Sequence, residues 1–93
     1  MEPFISMIVH IPYTSRIPKG WKMCTGELLA ISQYPALYSL IGVQFGGNGV
    51  SHFQLPNLMP EITRADGSKA KRPFGEGDLL PIIAVQGIFP ETD

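Results

Sequence analysis

The amino-acid sequence predicts an α+β domain, mostly β, with one short helix. Three observations predict it. A length of 93 residues is that of a single domain, residues 1–93. Ten glycines and nine prolines divide the chain into short pieces, which leaves no room for long helices. Charge-free, β-branched segments stand near both ends, and apolar residues recur at helical spacing only once, between them.

Each element follows in order. Phe4 to Tyr13 reads as a strand, rich in β-branched residues and bounded by Pro3 and Pro12. The two prolines push it toward a sheet edge. Ile17 to Gly20 reads as a turn, Trp21 to Cys24 as a short strand, Thr25-Gly26 as a second turn, and Leu28 to Ile31 as an extended piece. Ser32 to Ile41 reads as the helix. Ser32 is its expected cap, Pro35 lies in the first turn where a missing N–H is harmless, and Gly42 is its stop. Leu37, Leu40 and Ile41 share one face. A glycine-rich loop follows from Phe45 to Gly49, then an extended segment from Phe53 to Pro56. Residues 61–78 hold most of the remaining charge and read as a solvated loop. Leu79 to Phe89 reads as a closing strand, kinked at Gly87.

Composition excludes several function classes. Charged residues make up 16% of the chain, against roughly 25% in ordinary soluble domains. Mean hydropathy is +0.11. Much of the surface is therefore uncharged, and such a surface favours contact with another protein. No Asp, Glu, Lys or Arg occurs in residues 3–15, 28–60 or 79–90. A net charge of -1 gives no field to gather nucleic acid. No apolar run is long enough for a membrane helix, so no membrane insertion is expected. No secretory signal is visible, because the first turn carries Glu2 and Pro3 rather than a basic start. The single cysteine excludes an intrachain disulfide framework.

Few residues offer chemistry. Gly46, Gly47 and Gly49 follow a helix and precede no lysine, so they read as positive-φ turn positions and not as a phosphate cradle. His10 and His52 lie too far from each other and from Cys24 for zinc spacing. A histidine on a trimer axis would still supply three ligands. The preferred reading is a hydrogen-bonded imidazole, with no metal and no other cofactor. Cys24 reads as a buried, inert thiol. No Ser/His/Asp set or carboxylate pair stands out, so no enzyme is expected. Trp21, Tyr34, Tyr38, Phe45 and Phe53 read first as core, since aromatics dominate cores. With nearby amides they also offer a sugar-binding face, for which Tyr34, Tyr38 and Asn48 are the candidate contacts.

The order of these pieces resembles the phage tail collar domain family. The resemblance rests on Gly20-Trp21, on Cys24-Thr25-Gly26-Glu27-Leu28-Leu29, and on Ile31-Ser32-Gln33. It continues through Ala36-Leu37-Tyr38-Ser39-Leu40-Ile41-Gly42, Phe45-Gly46-Gly47-Asn48-Gly49 and Phe53-Gln54-Leu55-Pro56-Asn57-Leu58. The closing run from Ile83 to Pro90 resembles the microcystin-dependent branch of that family. The glycine-rich segment usual before this run is shortened to residues 61–78.

The resemblance implies a structural, adhesive role in a virion tail or an extracellular surface structure. It implies self-association, as a trimer or a filament, with attachment to a cell surface; a glycan-binding module of a tail or injection device is the alternative. The two charge-free terminal strands are the expected sheet edges, and at least one is expected to pair between subunits. Ile5, Ile8, Ile11, Ile82, Ile83 and Val85 are then the interface residues.

Overall fold

The computed structural model describes residues 3–13 and 16–88. In chain order the elements are β1 (Ile8–Pro12), β2 (Trp21–Met23), β3 (Leu28–Ala30), α1 (Pro35–Ile41), β4 (His52–Gln54), β5 (Glu61–Thr63), β6 (Lys69–Lys71) and β7 (Leu79–Ala84). The fold is mostly β, in small antiparallel sheets, with one short helix, as the sequence predicts.

The closing strand is central, which corrects one expectation. The first sheet has the order β1-β7-β2, so β7 has a neighbour on each side and offers no edge. Its run of Leu80, Pro81, Ile82, Ile83 and Ala84 is buried throughout. A charge-free run without alternation suits a strand covered on both faces better than an edge. The expected end of the segment, Phe89, lies outside the described residues.

Pro81 explains where this sheet gives way to the next. In an antiparallel sheet, alternate residues of β7 bond to opposite neighbours. Val85 donates to the Gly20 carbonyl at 2.8 Å and Cys24 donates to the Pro81 carbonyl at 3.0 Å, so 81, 83 and 85 face β2. Pro81 has no N–H to return to the Cys24 carbonyl. That carbonyl accepts instead from Leu58 N–H, at 2.8 Å. The chain from Cys24 onward thus transfers from β7 to residues 52–58. Thr25 bridges Asn57, Gly26 donates to Pro56, Leu55 donates to Glu27, and β3 pairs β4 with Leu29 opposite Phe53.

Strand β1 starts at Ile8 and not at Phe4. Phe4 to Met7 is a turn closed by Met7 N–H on the Phe4 carbonyl, with Ser6 at φ 76. Ser6 N–H donates to the Ala84 carbonyl and Ala84 N–H to the Met7 carbonyl, both at 2.9 Å. Two residues thus face one, which is a β-bulge. Ahead of it, Ile5 donates to Ile88 and Ile88 to Pro3. Gly87 lies against the Pro3 carbonyl, where any Cβ would collide with it.

The helix is shorter than expected and Ser32 does not cap it. The cap is Tyr34, at φ -133, with no side-chain hydrogen bond. A residue before proline is held out of helical geometry, so Pro35 fixes the start. Ser32 lies in the preceding turn, whose Gln33 and Tyr34 N–H groups both reach the Ala30 carbonyl. At the other end Gly42 donates to Tyr38 at φ 55, the stop the sequence predicts. The helix buries Leu37 in a core with Ile5, Cys24, Leu29, Phe53, Leu55, Ile83 and Val85. Tyr34, Tyr38, Leu40 and Ile41 pack around it, half-buried. Full burial of a side chain such as Phe53 stabilises by about 2–3 kcal/mol. The charged segment holds a hairpin, β5 paired with β6, where a loop was expected.

Candidate functional site

The feature of this fold most able to engage another molecule is the outer edge of β1. Val9 and Ile11 face Ile82 and Leu80, and their backbone groups point at β7, continuing the alternation that Ala84 and Met7 begin. The N–H and C=O of Ile8 and His10 therefore point outward, along a side where no strand of the described residues lies. Pro12 ends the row with a carbonyl and no donor. No charged side chain interrupts the segment from Pro3 to Ser15. Ile8 is 39% exposed, and Phe4 and Met7 ahead of the strand and Tyr13 after it are exposed too.

The opposite edge of the sheet is partly closed by its own turns. Trp21 N–H donates to Pro18 and the Met23 carbonyl accepts from Thr25. Below it an open groove of about 420 Å³ is lined by Ile17, Lys19, Trp21, Lys22, Met23 and Glu27, with Lys22 and Glu27 paired at 3.2 Å.

The expected interface residues divide. Ile8 and Ile11 lie on β1. Ile5, Ile82, Ile83 and Val85 are buried inside the chain itself. Met7 and Ile88, which are not among the expected interface residues, are exposed beside the Phe4 turn. The signal available was Ser6, a polar residue breaking the apolar run where the bulge forms.

The expected glycan contacts each touch other parts of the chain, Tyr34 and Tyr38 half-buried and Asn48 exposed. Tyr34 packs on the core. Tyr38 lies 5.4 Å from Phe53, ring centre to ring centre, and its hydroxyl donates to the Gly49 carbonyl. Asn48 holds its own loop: Oδ1 accepts from the N–H groups of Val50, Ser51 and His52, and Nδ2 donates to Ser51 Oγ. The glycines of this loop are turn positions, as expected. At Gly47, φ 100, a Cβ would stand 2.6 Å from the Phe53 Cα, so the loop lies directly on β4. These bonds fix the loop against the core, with the Tyr38 hydroxyl on the carbonyl next to Asn48.

Among the described residues, histidines, cysteine and carboxylates form no reactive group. His10 lies on β1 and His52 on β4, in different sheets, both exposed. His52 Nδ1 meets Ser51 Oγ at 2.9 Å. Among the described residues no cluster of three or more His, Cys, Asp or Glu stands close enough to hold a metal ion. Cys24 is fully buried, and desolvation pushes its thiol up to about 11. It is protonated and inert at neutral pH. Asp78 is held down at about 2, first by the hydrogen bonds from Arg72 and then by Gly75 N–H. Those bonds are 2.8 and 3.0 Å from Arg72 and 2.9 Å from Gly75. They brace residues 72–78 rather than tune an acid. Among the described residues no helix is long and apolar enough to cross a membrane.

A family model described as Phage Tail Collar Domain matches residues 6–63, more than half of the chain. No curated protein and no solved structure matches it.

Proposed function

This chain belongs to the phage tail collar domain family, and on that premise we propose that it is a self-associating subunit of a tail fibre or collar, assembling as a trimer or a filament. The family is structural and non-catalytic, a component of virion tails. The observation that carries self-association is the open β1 edge, uncharged and flanked by exposed Phe4, Met7 and Tyr13. An unprotected edge of this kind recruits another strand. The finer placement, in the microcystin-dependent branch, is supported by the resemblance of Ile83 to Pro90, which lies beyond the matched residues.

Attachment to a cell surface belongs to the same proposal. The alternative of a glycan-binding module has less support, because Tyr34 and Tyr38 pack on the core and Asn48 closes its own loop. Light scattering combined with negative-stain electron microscopy tests the assembly. A discrete trimer or long filaments are expected. A monomer at all attainable concentrations would overturn the reading.

A further inference from the structure

The outer edge of β1 has a defined length and a defined set of hydrogen-bonding groups. It begins after the bulge, where Ser6 N–H is already bonded to Ala84. It ends at Pro12, which has no donor. Between them stand two complete residues, Ile8 and His10, each with one outward N–H and one outward C=O. An edge limited to two such residues matches few partners. A long extended peptide would meet Pro12 at one end and the turn from Phe4 to Met7 at the other.

In one antiparallel register a second copy of the same strand matches every donor that lies between these two obstacles. With Val9 on a twofold axis, Ile8 of one chain faces His10 of the next, and the reverse. All four N–H groups then find carbonyls, so four hydrogen bonds form and no donor is stranded. Shifting the axis to His10 would set Ile8 against Pro12, which cannot return a bond. On the other side of the ribbon, Val9 would meet its copy, and Met7 would meet Ile11, as apolar cross-strand pairs. The segment carries no charge, so no like charges oppose each other across the axis.

We infer that two copies of this chain pair antiparallel through β1, with Val9 on the twofold axis. The inference rests on the self-association reading and gives it a partner, a strand and a register. The sheet then runs β2-β7-β1 and onward through the same three strands of the second copy. Such a contact is isologous and closes at two chains, so the trimer or filament of the proposed function is built through a second, different interface, and β1 joins such units in pairs.

Disulfide trapping tests the register. Directly opposed residues that do not share hydrogen bonds lie about 4.5 Å apart at Cα, within disulfide reach. Val9→Cys is therefore expected to form a covalent dimer under mild oxidation. Leu28→Cys, exposed on β3 of another sheet, is expected not to. The native Cys24 is buried and protonated, so it does not compete. A mixture of Met7→Cys and Ile11→Cys chains reads the same register without altering Val9. Adding His10→Pro, which removes one outward N–H per chain and no bond to β7, should lower the trapped fraction roughly tenfold.

Failure of both cysteine probes to cross-link, with an assembly still seen by light scattering, would overturn the twofold pairing and leave self-association standing. A monomer with no cross-link would overturn both. A cross-link unchanged by His10→Pro would mark random collision and overturn the pairing.

Discussion

Two residues show how a single side chain bears on local backbone geometry, one against it and one for it. Ser6 occupies a positive φ of 76 in the turn that starts β1. For a residue with a Cβ, that conformation costs roughly 1–2 kcal/mol. Glycine adopts it freely but loses more entropy on folding. Ser6→Gly should therefore stabilise the chain by about 0.5–1 kcal/mol, measured by thermal or urea unfolding. Asn48 presents the opposite case. Its Oδ1 accepts three backbone N–H groups in the loop that lies on β4. Asn48→Ala leaves those donors to water and should cost about 1–3 kcal/mol. Asn48→Asp keeps the acceptor and should recover most of that loss in the same unfolding measurement.

Among the elements, the segment from Glu61 to Asp78 shows how charge acts when the core is distant. The β5–β6 hairpin is exposed, and its turn is held by Asp66, which accepts from both Ser68 N–H and Ser68 Oγ. Beyond it, Arg72 grips Asp78 with two hydrogen bonds. An aspartate ordinarily titrates near 3.9 when unfolded; here the folded value is about 2. The depressed value means that the clamp's stabilisation is present above about pH 4 and is lost as pH falls toward 2. Asp78→Asn should lower stability at neutral pH and flatten the decline between those values, in urea titrations at a series of pH. The hairpin itself was hidden in the sequence, because its alternation of Lys69, Ala70 and Lys71 is that of any solvated segment. The helix stop at Gly42 and the turn glycines were legible because each is local chemistry. The central position of β7 was not, since strand order depends on contacts between distant residues. The candidate site was legible in part for the same reason: Ile8 on an uncharged strand could be named, but not which other strands cover Ile82 and Ile83.

For the whole molecule, the pairing of the two ends decides which substitution can report on assembly. Ile8 and Ile83 face each other across β1 and β7, and both read alike in the sequence as uncharged strand residues. In the fold they differ. Ile83 is 1% exposed within the core, next to Cys24, Leu37 and Phe53. A lysine there would bury an unpaired charge or force the chain open, and either costs several kcal/mol against a total stability of about 5–15 kcal/mol. Ile83→Lys should therefore unfold the chain, and any loss of assembly it causes says nothing about an interface. Ile8 is 39% exposed at the free edge, where a lysine can extend into water. Ile8→Lys should shift the melting of the folded chain by no more than about 1 kcal/mol. Placed beside the open N–H and C=O groups, its charge should still repel an approaching copy, since lysine is a common guard of sheet edges. The expected result is a folded protein whose particle mass by light scattering falls, to that of whatever unit holds together without the β1 contact. Assembly unchanged in a well-folded Ile8→Lys variant would place the subunit contact away from β1, on a surface that the strand edge does not reach.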